Sequence, residues 1–217
     1  MTPTPFGLIE VVYVMANLAS LDVGTVVSMR EHQNDEILSC MWRGAMVHED
    51  SEGHRVPVSP GGLTMINAGK SFWHEELTPG VPVEMLQILI RPHKADLPGE
   101  ARFYDPPSRL PESQWRLIAG PEASDALLKI RQLVIVSDAQ LMEGGAASVP
   151  AAEGMTSLLY VMDGAIRVGD ARLGKGDTVT DLDGTWPVVH AESAATLVAF
   201  VVVRSAPAST AGTIRRR

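Results

Sequence analysis

The stretch Met29–Glu76, MREHQNDEILSCMWRGAMVHEDSEGHRVPVSPGGLTMINAGKSFWHEE, decides how this chain is read. His32 precedes one apolar run, and His74 closes another with Glu76 two residues further on. Successive side chains of a strand alternate between faces, so His74 and Glu76 point the same way. Two imidazoles and a carboxylate make the donor set of a non-haem iron facial triad, and the same set suits Fe(II), Ni(II), Mn(II) or Zn(II). Glu36 is a reserve ligand because it shares strand parity with His32. Four residues of extended chain span about 13 Å, however, so Glu36 reaches the same ion only through a turn at Gln33-Asn34-Asp35.

The segments Glu36–Gly44 (EILSCMWRG), His48–Gly53 (HEDSEG), Pro60-Gly61, Met65–Gly69 (MINAG), His74–Glu76 (HEE) and Leu86–Pro92 (LQILIRP) form a connected pattern. This pattern resembles the pirin family of bicupins. The likeness is specific over this region and looser, though compatible in strand order, over the rest. It implies an all-β fold of two jelly-roll barrels in one chain, with a metal in the first. Three ligand positions of metal-bearing members fall on His32, His74 and Glu76. The fourth, a histidine two residues before His32, is Arg30 in this chain. The implied activity is quercetin 2,3-dioxygenase-like, with a divalent metal supporting dioxygen insertion into a flavonol-type small molecule. Glu76 could then also serve as a base if it leaves the metal.

Arg30 keeps a second reading open. A guanidinium is always charged and cannot ligate a metal. Pointing inward, it would place a positive charge where the cation sits and pair with Glu76 or Glu36. The protein would then be a catalytically degenerate cupin without metal, binding a small molecule or a protein partner. The sequence leaves enzyme and binding module as alternatives.

Strand signals extend along the whole chain, at Ile9–Met15, Gly24–Met29, Glu36–Met41, Val83–Ile90, Leu133–Val136, Ser157–Met162 and Thr196–Val203. Short apolar runs separated by Gly, Pro, Asp and Ser are the mark of a sandwich or barrel. The pattern also repeats. ILSCMWRGAMV around Gly44 is followed by Pro60-Gly61-Gly62-Leu63, and SLLYVMDGAIRV around Gly164 by Leu173-Gly174-Lys175-Gly176-Asp177. Each half reads as strand, glycine turn, strand and second glycine turn, a duplicated β-unit. The expected division is 1–115 for the first barrel, 116–206 for a degenerate second barrel and 207–217 for a flexible tail. Prolines 98, 106 and 107 argue against regular structure in Pro92–Pro111. Ser124–Ile130 is expected as a short helix or turn.

Composition narrows the function classes. A net charge of −8 argues against a general nucleic-acid surface. No basic segment followed by a long apolar run opens the chain, and no apolar run is long enough to span a membrane. The single cysteine, Cys40, excludes internal disulfides and suits a reducing cytoplasm; its apolar strand reads as the setting of a buried, inert thiol. Neither a P-loop, a GxGxxG nor a GxSxG elbow is present. A monomer is expected, since two barrels in one chain can cover each other's sheet faces.

Trp42, Met65 and Gln87 are candidate pocket-lining residues, the first two apolar and the third a polar residue on an apolar strand. Trp73 should face away from His74. His48 and His54, in a turn sequence, read as structural or exposed, and His93 as a surface residue. His190 stands alone in the second half, without an HxH or HxE partner, so that barrel reads as metal-free.

Overall fold

The computed structural model describes residues 9–11, 14–105, 113–181 and 186–213. Every regular element among them is a strand. None is a helix long and apolar enough to cross a membrane. The chain divides into two compact units, one built on Glu10–Pro107 together with the segment from Pro207, the other on Ser108–Ala206.

The first unit contains β1 (Ile9–Val11), β2 (Val14–Leu21), β3 (Val26–His32), β4 (Glu36–Asp50), β5 (Arg55–Val58), β6 (Leu63–Asn67), β7 (Phe72–Ile90) and β8 (Glu100–Tyr104). Its backbone is organised by β4 and β7, which pair antiparallel from Glu36↔Ile90 to Asp50↔His74. On the other side of β7, β3 covers the stretch that begins at Phe72 and β2 the stretch that ends at Ile90. From Phe72 to Thr78 burial alternates strictly. Phe72, His74, Glu76 and Thr78 are buried, whereas Trp73 is exposed, so one face of β7 is committed to the interior. Phe72 packs there with Ile37, Ile66 and Ala68, and a second group holds Met41, Met46, Val58, Val83 and Met85. Burying each large side chain of this kind contributes about 1.5–3 kcal/mol.

Gly44 is not the turn that the sequence pattern implies. Strand β4 runs through it, with register shifts against β7 on both sides. Its φ is +81°, and a Cβ placed there would lie 2.0 Å from the Pro82 carbonyl oxygen. The glycine lets a 15-residue strand bend while staying paired.

The second unit contains β9 (Arg116–Gly120), β10 (Leu128–Lys129), β11 (Val134–Leu141), β12 (Ala146–Ala147), β13 (Thr156–Asp163), β14 (Ala165–Val168), β15 (Ala171–Gly174), β16 (Thr178–Asp181), β17 (Val189–Ala191) and β18 (Ala195–Val202). They form two sheets, ordered β10-β9-β11-β18-β13-β16 and β12-β17-β14-β15. Side chains from both meet in one apolar core: Leu159, Val161 and Leu197 from the first, Ile166, Leu173 and Val189 from the second. Gly164, with φ +84° and a would-be Cβ 2.2 Å from the Ala194 carbonyl oxygen, matches Gly44 in the first unit.

Three expectations need correction. The proline-rich segment 92–111 contains β8, which pairs along β6. The five residues Glu100–Tyr104 lie clear of Pro98 and Pro106, and an edge strand needs hydrogen bonds on one side only. Of the two forms expected for Ser124–Ile130, a short helix or a turn, the helix is not made. The Ser124 hydroxyl donates to the Pro121 carbonyl, closing a turn, and β10 follows parallel to β9. Residues 207–213 do not trail away from the fold, because Ser209 and Thr213 are hydrogen-bonded to Pro92 and Gln33 in the first unit.

Candidate functional site

Three neighbouring strands, β3, β7 and β4, place the candidate residues in two rows. In the first, His74 has Arg30 as its register partner on β3 and Asp50 on β4. In the second, Glu76 stands between Val27 and His48. His32 pairs with Phe72 one step along β7. A register shift between Val27 and Arg30 brings this part of β3 into line.

The imidazoles gather around His74. Its ring centroid lies 5.1 Å from that of His32 and 5.4 Å from that of His48, with the His48 ring stacked at an interplanar angle of 27°. Phe103 meets His48 edge-on at 5.1 Å. His74, Glu76 and His48 are all buried. Both ring nitrogens of His74, Nε2 of His32 and Nδ1 of His48 are buried without a hydrogen-bond partner. Buried polar atoms normally have one, so this group of bare nitrogens marks a place for a ligand.

Asp50 ties His48 to His54. Its carboxylate accepts from the backbone N–H groups of Glu52 and His54 and lies 3.0 Å from His48 Nε2 and 2.9 Å from His54 Nδ1. His48 is therefore an interior residue, so of the two readings open to it, structural or exposed, the exposed one is corrected. His48 and Asp50 have the same strand parity, but the turn residues around them hide the continuation of the strand begun at Glu36 as far as Asp50. His54 is partly exposed, as expected of a turn residue.

Burial dominates the electrostatics. It pushes His74 down to about 3, helped by the neighbouring His32, His48 and Arg30. His74 is thus a neutral imidazole across the physiological range, the form that ligates metals. Burial raises Glu76, opposed by Arg30 and His32. Burial also lowers His48, against the pull of Asp50. Burial would raise Asp50, but hydrogen bonds from His48 and His54 outweigh it and hold the carboxyl below its usual value.

Arg30 is exposed, and among the described residues it makes no ion pair with Glu76 or Glu36. It acts on His74 and Glu76 through its charge. Glu36 lies at the opposite end of β4 from His48, where it is the register partner of Asn67 and accepts a 2.6 Å hydrogen bond from Asn67 Nδ2. Met65 is fully buried, but it adjoins Ile66, which packs with Phe72, so alternation turns Met65 to the other sheet face. Gln87 is half-buried opposite Ser39, well along β7 from His74. Trp42 is half-buried, with the Arg43 guanidinium over its ring at 5.5 Å. Cys40 is buried, and His93 and His190 are exposed.

By chemistry the donors His32, His74 and Glu76 fit a divalent transition metal, and the bare ring nitrogens of the two histidines supply lone pairs for it. Among the described residues, no three His, Cys, Asp or Glu side chains converge closely enough to hold an ion. Loading the site requires side-chain movement.

Two β units, the first lined inside by histidines and a glutamate and the second filled with apolar side chains, define a bicupin. This chain belongs to the pirin family: residues 5–90 match the Pirin family, and residues 117–201 match the quercetinase C-terminal cupin domain. It is 27% identical over 169 residues to pirin from Rattus norvegicus, covering 68% of this chain and 58% of that protein. It is 22% identical over 184 residues to quercetin 2,3-dioxygenase from Escherichia coli K12, covering 83% and 78%. The chain thus spans less than two thirds of rat pirin, and 64% of a relative from Pasteurella multocida. Among solved structures, the bacterial pirin YhhW from Escherichia coli in complex with nickel(II) superposes with a TM-score of 0.79 at 20% identity, over 88% of this chain and 82% of that one.

Proposed function

We propose that this protein is a metal-dependent pirin-type oxygenase with quercetin 2,3-dioxygenase-like activity on a flavonol-like small molecule. His32, His74 and Glu76 would hold the metal, Fe(II) or another of Ni(II), Mn(II) and Zn(II). The observation that carries this reading is the set of buried, unpartnered imidazole nitrogens beside a buried glutamate. The nickel(II) complex of a bacterial pirin with the same fold supports it, as do relatives named quercetin 2,3-dioxygenase. When bound, the metal would supply Lewis acidity toward an oxygen of the substrate. The chain supplies the rest. Burial keeps His74 unprotonated, and Phe72 and Met46 help to keep water from the interior. Released from the metal, Glu76, raised by burial, would be a stronger base than an exposed glutamate and could take a proton from an acidic hydroxyl.

A second reading rests on Arg30. Its charge acts on two of the three ligands, in a site whose donors do not converge. The pocket would then bind a small molecule or partner without metal, offering imidazole donors and acceptors in place of open coordination positions.

Elemental analysis of the purified protein, before and after incubation with Fe(II), Ni(II), Mn(II) and Zn(II), separates the two. Near-stoichiometric metal that is lost in His74→Ala, with consumption of dioxygen in the presence of quercetin, supports the oxygenase. No uptake of any of the four ions leaves the metal-free binder.

A further inference from the structure

The segment that follows the second unit returns to the first and ends its described course at His32. The Ser209 N–H donates to the Pro92 carbonyl at 2.8 Å, and the Arg91 guanidinium reaches the Ser209 carbonyl at 3.4 Å. The Thr213 N–H then donates to Gln33 O at 3.1 Å and lies 3.2 Å from Asp35 Oδ2. The Thr213 hydroxyl meets three groups: Asp35 Oδ2, the Gln33 N–H at 3.4 Å and His32 Nδ1 at 3.3 Å. Nδ1 of His32 is also 3.5 Å from Asp35 Oδ2.

The donors and acceptors around the Thr213 hydroxyl fix where the His32 ring proton sits. A threonine hydroxyl has one proton to donate and two lone pairs. The Asp35 carboxylate, whose side chain is inaccessible to solvent, accepts that proton. The Gln33 N–H can only donate, so it takes one lone pair. The remaining lone pair faces His32 Nδ1, which must then carry the hydrogen, and the second neighbour of Nδ1 is again an acceptor, Asp35 Oδ2. His32 Nε2 is left bare, and it is one of the buried nitrogens without a partner.

We propose that Thr213 and Asp35 are positioning residues that hold His32 as its Nδ1–H tautomer, so that Nε2 offers its lone pair inside the first barrel. The hydrogen bond made by one ring nitrogen sets the state of the other, and such partners typically change metal affinity about 10- to 100-fold. The tautomer does not depend on a metal; its use in ligation rests on the metal-site reading above. Part of the candidate site is therefore completed by a segment 181 residues away in sequence.

The test uses the full chain, labelled with 15N and free of metal, at a pH well above the imidazole range. Ring-nitrogen chemical shifts of His32 should show protonated Nδ1 and bare Nε2 in the parent. Thr213→Val, which keeps the shape and removes the hydroxyl, should move His32 toward a mixture of tautomers. Thr213→Ser, which keeps the hydroxyl, should retain the parent signature, and this comparison separates loss of the hydrogen bond from loss of the fold. Ni(II) titration of the same proteins should show about a tenfold loss of affinity in Thr213→Val and little in Thr213→Ser. Protonated Nε2 in the parent, or a Thr213→Val spectrum identical to it, overturns the proposal. A tautomer that responds to Thr213 in a protein that binds no Ni(II) upholds the positioning role and removes the metal reading instead.

Discussion

Arg30 and His74 are direct register partners across β3 and β7, so a fixed positive charge stands opposite the most deeply perturbed histidine of the site. The pairing places residue 30 next to the pocket whether its side chain lies inward or, as here, in solvent. A cation entering the site meets that charge at close range. At the effective dielectric of a protein surface, a divalent ion and a unit charge about 8 Å apart repel by roughly 4 kcal/mol, a value that solvent around the exposed guanidinium reduces.

Arg30→His should therefore strengthen metal binding, by removing a fixed charge and adding an imidazole opposite His74. A gain of tenfold or more in Ni(II) affinity is expected, equivalent to about 1.4 kcal/mol. Calorimetric titration of parent and variant measures it. Equal affinities would mean that Arg30 is not what limits loading.

Asp50→Ala should be among the most damaging single changes in the first unit. It removes the acceptor for His48 Nε2 and for the N–H groups of Glu52 and His54. His54 can turn to water, but His48 is buried and cannot. A loss of about 2–4 kcal/mol is expected from denaturant unfolding, and Asp50→Asn, which keeps an acceptor oxygen, should lose less.

Much of the barrel was legible because strands announce themselves by alternation. Phe72–Glu76 reads correctly from its period alone, down to the outward turn of Trp73. What escaped depends on pairing between distant segments. His48 lies in a sequence rich in turn residues, and only the register of β4 against β7 brings it over His74. Glu36 has the right parity in sequence, yet its strand partners are Asn67 and Ile90. Met65 lies one residue from an inward position, and one residue is the whole difference between faces. No local signal links Thr213 to His32, because the contact is made by closure of the chain and not by a periodic pattern.

The duplication of the two units can be tested at Gly44 and Gly164. Both have φ above +80°, and in both a Cβ would meet a backbone carbonyl oxygen at 2.0 or 2.2 Å. Alanine at either position should cost about 3 kcal/mol or more, since backbone must shift as well as strain. Gly24 is the control. Its φ is +80°, but a Cβ there has nothing within 4 Å. Gly24→Ala should cost only the left-handed conformation, about 1–2 kcal/mol. Equal losses at all three positions in denaturant unfolding would show that close approach is not what demands glycine at 44 and 164.

Acid should destabilise the first unit through His74. Its value of about 3 lies well below the ordinary 6.5, so between these limits the unfolded chain binds a proton that the folded chain refuses. Stability is fully present above about pH 6.5 and is lost as pH falls toward 3, by up to about 1.4 kcal/mol per unit. His48, also lowered by burial, adds to the loss. Glu76 works in the opposite sense. Its raised value means that the folded chain holds a proton above pH 4.5 that the unfolded chain releases, so Glu76 returns some stability as pH falls through that window. Thermal midpoints of the metal-free protein measured from pH 7 to pH 4 should therefore fall, and the fall should be shallower in His74→Gln, where the largest acid-sensitive contribution is gone and that of Glu76 remains. Identical pH profiles for parent and variant would mean that His74 takes up its proton in the folded state as readily as in the unfolded chain, and that the imidazole is not held neutral by burial.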